Sequence, residues 1–141
     1  MSDHGSRPPL VVTHEGGLRF AAQIRQHRLM VDQPHSAGGE DSAPMPLELL
    51  GASLGTCVAL YVQQFCEARN LPHEGLRVEV RPQGAQGRVG SFAVRVVLKE
   101  PVPPRYADLL ERVAKSCPAH NTLAYGAEVT VAIEAPQPAA A

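Results

Sequence analysis

The stretch Leu49-Leu-Gly-Ala-Ser-Leu-Gly-Thr-Cys57-Val-Ala-Leu-Tyr-Val62 runs for about 14 residues without a charge, and nothing else in the chain restricts its folding so strongly. It falls short of the roughly 20 residues needed to cross a bilayer, so it predicts a central core helix. Pro44-Met45-Pro46 puts proline where the first helical turn has no use for the missing N–H. Leu71-Pro72 then stops the helix near Asn70. Gly51 and Gly55 stand four apart on one face, each at a cost of about 1 kcal/mol in helix propensity. A face stripped of bulk in this way is expected to meet something closely, either a second long helix or its copy from another subunit.

The flanking segments read as strands. Leu10–His14 and Leu18–Ile24 surround Gly16-Gly17, a pair that supplies the positive φ angles of a tight hairpin. Arg28–Val31 predicts a third strand, and Asp32 to Met45 a long surface loop of a length usually tied to function or mobility. Leu76–Pro82 and Phe92–Leu98 predict a second hairpin around a Gly/Gln turn over 83–90. Tyr106, Leu109, Leu110, Val113 and Ala114 recur at helical spacing. Ala127–Glu134 alternates as a last strand. The order β-β-β-α-β-β-α-(α)-β is that of an α+β fold with antiparallel sheets around one long helix. It forms one domain over 10–135, with a flexible N-terminus over 1–9 and a disordered Pro/Ala tail over 136–141.

A chain of 141 residues with 44% hydrophobic and 19% charged side chains can bury a substantial core. Its net charge of −1 is spread without a basic run, which argues against nucleic acid and anionic membranes as partners. Met1–Pro9 lacks the apolar segment of a signal peptide, so a cytoplasmic location is expected. Three cysteines are an odd count for a disulfide framework and point to reduced thiols with packing or chemical roles.

Cys57 and Cys66 are nine residues apart on one helix, on opposite faces and about 13.5 Å apart in height, so they cannot bridge. Any partner of Cys57 within the chain is therefore Cys117. Cys66, near the helix end, reads as a packing residue. Cys117 precedes Pro118 and becomes the cap of a short helix, where backbone N–H groups are expected to lower its pKa. Cys57 has no helix end to activate it, and an arginine is the usual alternative. Arg19 is the candidate, because Leu18 and Phe20 beside it look core-directed. Glu48 sits where it can orient Arg19 or serve the start of the helix as a favourable charge. Cys117-x-x-His120 has ligand-like spacing, but four metal ligands are not evident, and a histidine in a turn is the simpler reading.

The segments Pro46-Leu-Glu-Leu-Leu-Gly-Ala-Ser-Leu-Gly-Thr-Cys57 and Cys117-Pro-Ala-His-Asn-Thr-Leu123 together resemble the OsmC/Ohr family of osmotically inducible and organic hydroperoxide resistance proteins. The similarity covers nearly the whole domain. The resemblance implies an intertwined homodimer with long central helices and two sites at the subunit interface. It implies that Cys57 is the peroxidatic cysteine, forming a sulfenic acid, and Cys117 the resolving cysteine that closes a Cys57–Cys117 disulfide. It further implies organic hydroperoxides as substrates in an apolar pocket around Cys57, an external dithiol as reductant, no cofactor, and catalytic roles for Arg19 and Glu48. Two positions depart from the family pattern. Leu47 stands ten residues before Cys57, where the catalytic glutamate is found, and Leu18 follows the glycine pair directly, where the arginine is found.

Two other classes of function fit the same residues. One is a non-catalytic stress protein that binds an apolar ligand in the interface pocket. The other is a metal-binding hydrolase built on Cys117 and His120.

Overall fold

The computed structural model describes residues 7–139. In order it contains β1 (Val11–Gly16), β2 (Arg19–Ile24), β3 (His27–Val31), a 3-10 turn at His35–Ala37, α1 (Pro46–Ala68), β4 (Arg77–Ala85), β5 (Arg88–Val97), α2 (Pro104–Ala114) and α3 (Pro118–Tyr125). The segments 1–9 and 136–141, expected to be flexible and disordered, lie partly outside the described residues. Strands β1-β2-β3 form one antiparallel sheet and β4-β5 a second. The first hairpin turns on Gly16 and Gly17 with φ of 107° and 56°, values that suit glycine. The second hairpin is longer than expected: pairing continues to Ala85↔Arg88 across a slip at Gln83/Gly84, leaving a turn of Gln86-Gly87. Ladder hydrogen bonds belong to the backbone, so an exposed hairpin tip tolerates glycine at a bulge.

Helix α1 buries Gly51, Leu54, Gly55, Val58, Val62, Phe65 and Cys66, the three- and four-residue spacing of one helical face. Val78 and Val80 of β4, Phe92 and Val96 of β5, and Tyr106, Leu109, Leu110 and Val113 of α2 pack on it. The glycine face meets the β4-β5 hairpin, which corrects the expectation of a second helix there. A Cβ on Gly51 would lie 3.8 Å from Val80 Cγ1 and 3.8 Å from Phe92 Cε1, and one on Gly55 only 3.0 Å from Val80 Cγ2. Branched valines project from the pleat toward the helix and need the missing side-chain volume. The helix has 23 residues and a mean hydropathy of 1.4 over its most apolar window, so by length and composition it is able to span a membrane, contrary to the shorter stretch first counted. Its packing against the hairpin and α2 makes it a core helix, although only 33% of that window is buried within one chain.

Two expectations fail in a related way. The segment 127–134 pairs with no strand, and Val129, Val131 and Ile133 are 81%, 82% and 89% exposed. Alternation specifies a one-faced strand, but a strand forms only when it docks on a sheet edge, and 127–134 joins neither the β1-β2-β3 nor the β4-β5 sheet. Leu18 and Phe20, read as core-directed, are exposed as well. Among the described residues, β1–β3 contributes nothing to the core cluster around α1.

The loop from Asp32 to Met45 is closed by hydrogen bonds. The Asp32 N–H donates to the Pro44 carbonyl at 3.1 Å. The buried Asp32 carboxylate accepts from the Ser42 N–H at 3.0 Å, the Ser42 hydroxyl at 2.6 Å and the Gln33 N–H at 2.7 Å. These donors, the Ser42 hydroxyl foremost, hold its pKa down at about 2.

Candidate active site

Helix α1 carries Cys57 at its centre and the start of α3 carries Cys117, and the fold joins them in one cluster with Val58, Val62 and Ala119. Cys117 is fully buried, Cys57 is half-buried, and both are free thiols. The Cys117 side chain caps α3 as expected, accepting the His120 N–H at 3.2 Å. Its pKa nevertheless moves up, against expectation. Burial is the largest cause; the His120 N–H opposes it, and the adjacent Cys57 sulfur, through a hydrogen bond and its charge, adds to the rise. Desolvating a thiolate outweighs what one backbone donor returns. The raised pKa keeps the Cys117 thiol protonated beside the Cys57 sulfur. Cys66 lies apart, fully buried, and burial pushes its thiol up too.

The two other candidate residues take different partners. Arg19, on β2, reaches Glu40 of the 32–45 loop at 3.4 Å, and its sheet is not part of the core around the cysteines. Glu48 sits in the first turn of α1, where Oε1 accepts the Met45 N–H at 3.0 Å, so its carboxylate satisfies a helix N-terminus. About 13.5 Å of helix rise separates it from Cys57.

Cys57 is not among the residues that line the cavity opening beside its neighbour Val58. This cavity, of about 700 Å³, runs between β5 and α2. Val58 and Val62 of α1 form its floor, Phe92, Val94 and Val96 one wall, and Leu110 the other, with Glu100, Glu111, Lys115 and His120 as its polar groups. Sequence reading missed both this cavity and the setting of His120. The ring Nδ1 of His120 lies 3.2 Å from Asn121 Oδ1, while Asn121 Nδ2 donates to the Ser116 carbonyl at 3.4 Å. The adjacency of His120 and Asn121 was the available signal. Among the described residues, no group of three or more His, Cys, Asp or Glu stands close enough to hold a metal ion.

A half-buried thiol beside a buried protonated one is an arrangement for thiol redox chemistry. Comparison with known proteins finds the same architecture. A protein of Psychrobacter arcticus 273-4 assigned to the osmotic stress and detoxification response matches with a TM-score of 0.76 at 21% identity, over 86% of this chain and 91% of that one. An OsmC-like protein of Mycoplasma pneumoniae matches with a TM-score of 0.67 at 21% identity, over 85% and 89%. An organic hydroperoxide resistance protein of Legionella pneumophila matches with a TM-score of 0.54 at 18% identity, over 82% and 89%. No curated protein sequence matches. The family model described as OsmC-like protein matches residues 39–132, a span that includes α1, both hairpin strands and both cysteines, and the chain therefore belongs to the OsmC-like protein family.

Proposed function

We propose that the protein is a thiol-dependent peroxidase that reduces organic hydroperoxides in cytoplasmic oxidative stress defence. The observation that carries this reading is the proximity of Cys57 and Cys117 in one cluster. Family membership and the likeness to proteins named for hydroperoxide resistance support it. The Cys57 thiolate attacks the outer peroxide oxygen; an S–O bond forms, the O–O bond breaks, and the alkoxide leaves as an alcohol after protonation. The Cys57 sulfenic acid then condenses with the Cys117 thiol, releasing water and forming a disulfide. An external dithiol reduces that disulfide, itself becoming oxidised. The valine- and leucine-lined cavity beside the pair suits the alkyl portion of such a substrate.

The working form is an intertwined homodimer. A single chain leaves Val11, Val12, Leu47, Leu50 and Leu60 exposed together with the apolar edge of 127–134, more than an isolated soluble domain ordinarily shows to water. A second copy would cover these surfaces, pair the 127–134 segment, and supply its Arg19 to the neighbouring Cys57. Glu48 would act at the same interface. Turnover of cumene hydroperoxide with a dithiol tests the assignment: Cys57→Ser is expected to abolish it. Cys117→Ser should leave a sulfenic acid that a dimedone-type reagent traps. Equal turnover by wild type and Cys57→Ser rejects the reading.

The cavity and the Arg19–Glu40 pairing favour a second reading, a stress protein that binds an apolar ligand without turnover. Thiol titration after stoichiometric hydroperoxide separates the two, since the peroxidase loses two of its three thiols and the binder keeps all.

A further inference from the structure

The cavity between β5 and α2 is apolar within and charged at its rim. Valine, leucine and phenylalanine side chains of α1, β5 and α2 form its walls. His120 lines it as well, and the His120 backbone N–H is bonded to Cys117 Sγ at 3.2 Å. None of the exposed apolar residues that a second copy would cover lines this cavity, so it is separate from the surfaces given to the subunit interface.

Its charged groups are two carboxylates and one ammonium, all on exposed residues: Glu100 from the segment after β5, and Glu111 and Lys115 from α2. Lys115 Nζ is held by Glu111 Oε1 at 2.8 Å, one helical turn away, so the only cation at the rim is already engaged. Glu100 makes no ion pair among the described residues. The cations nearby in sequence are turned elsewhere. Lys99 lays its side chain over Gly75, with Nζ 2.7 Å from the place a Cβ would occupy there. Arg95 alternates with Val94 and Val96, which line the cavity, and so lies on the opposite face of the sheet. There it meets Glu79 at 3.6 Å. Arg105 and Arg112 of α2 do not line the cavity, and Arg105 stacks over the Tyr106 ring at 4.8 Å.

An apolar chain gains by entering such a space whatever its head group, but a charged head group must stay at the water-facing rim. A carboxylate there meets Glu100 with no free cation to offset it. Capturing Lys115 would strand Glu111 beside a second anion. An uncharged ester, hydroxyl or hydroperoxide meets neither cost. Water screens the rim, so each unit of charge discriminates by about threefold at roughly 7 Å.

Resting on the peroxidase reading, we infer that this cavity selects electroneutral apolar ligands, and among substrates the hydroperoxides of esterified lipids and hydrocarbons over those bearing a carboxylate, with Glu100 as the specificity-determining residue at its rim.

The test uses the full-length reduced protein at mildly alkaline pH and low ionic strength, where exposed charges are least screened. Displacement of Nile red, an uncharged dye, measures binding of 1-decanol and of decanoate, which share a chain and differ in charge, without any peroxide. Decanoate is the more water-soluble of the two in any site, so the decisive quantity is the change in their affinity ratio between variants. Glu100→Lys is expected to move that ratio toward decanoate by about tenfold, and Glu100→Gln by about threefold. Glu111→Gln, which frees Lys115, should move it in the same direction by about threefold. Ala107→Trp fills the cavity from an exposed position of α2 and should weaken both ligands, which locates the binding. A ratio unmoved by Glu100→Lys and Glu111→Gln overturns the inference, as do ligands that bind Ala107→Trp as tightly as wild type or fail to displace the dye at all. The second readout is kcat/KM for linoleic acid hydroperoxide against its methyl ester; wild type should prefer the ester, and Glu100→Lys should narrow that preference by about tenfold. Turnover with a preference that Glu100→Lys leaves unchanged defeats selection by charge and keeps the peroxidase. A shifted binding ratio with no turnover of either compound defeats the peroxidase reading and keeps the cavity as a site for neutral apolar ligands.

Discussion

Gly51 and Gly55 share one face of α1, yet the fold predicts unequal outcomes when each becomes alanine. In both, alanine improves helix propensity by about 1 kcal/mol and buries one methyl group, for about 0.8 kcal/mol more. At Gly51 the new Cβ meets Val80 Cγ1 and Phe92 Cε1 at 3.8 Å, ordinary contact, so Gly51→Ala is expected to stabilise by about 1–2 kcal/mol. At Gly55 it meets Val80 Cγ2 at 3.0 Å, and a β-branched side chain within a strand has little freedom to turn away. Overpacking of this kind costs about 1–3 kcal/mol. The propensity gain is common to both variants, so Gly55→Ala should fall below Gly51→Ala by about 1–3 kcal/mol, the overpacking cost alone. Urea unfolding at one fixed protein concentration measures the difference. A Val80→Ala background should remove most of it, because the clashing methyl is then absent. If Gly55→Ala proves at least as stable as Gly51→Ala, the close approach of β4 to α1 is wrong.

Three further outcomes follow from burial and exposure. In the folded reduced protein iodoacetamide should modify Cys57 first, with fully buried Cys66 and Cys117 reacting only in denaturant; equal labelling of all three by mass spectrometry would contradict the packing. Burial raises the Cys66 and Cys117 thiols, so the native state holds those protons more tightly than the unfolded chain. Their contribution to stability is intact below the ordinary thiol range near about pH 8.5 and declines as pH rises beyond it. Cys66→Val should flatten that alkaline decline by at most about 1.4 kcal/mol per pH unit, read from urea midpoints. Paired Val131→Asp and Ile133→Asp substitutions should convert a homodimer to monomer in light scattering behind size exclusion, and a monomeric wild type would remove the basis for the intertwined assembly.

Which elements form was legible because each is a local property. The charge-free run of α1, the glycine pair at 16–17, the proline before α3 and the alternation of β4 and β5 act over a few neighbouring residues. The meeting of Cys57 with Cys117 was legible by elimination, since Cys66 on the same helix points elsewhere. Other features depended on distant parts of the chain. The partner of the Gly51/Gly55 face depended on where β4 crosses α1, which no spacing within the helix encodes. Arg19 found Glu40 because the 32–45 loop folds back on Asp32, and Glu48 was satisfied by a backbone group three residues away.

The sequence alone determined the helices and the first five strands and the family to which they belong, because periodicity, glycine turns and proline stops act through the local backbone, whereas the strand expected over 127–134 needed a partner and did not form. Tertiary structure decided the chemistry of the site. Whether a helix cap or desolvation governs Cys117 and where a substrate-sized cavity opens are both set by groups brought together from far along the chain, and electrostatic energy depends on distance in space and on the water excluded between charges.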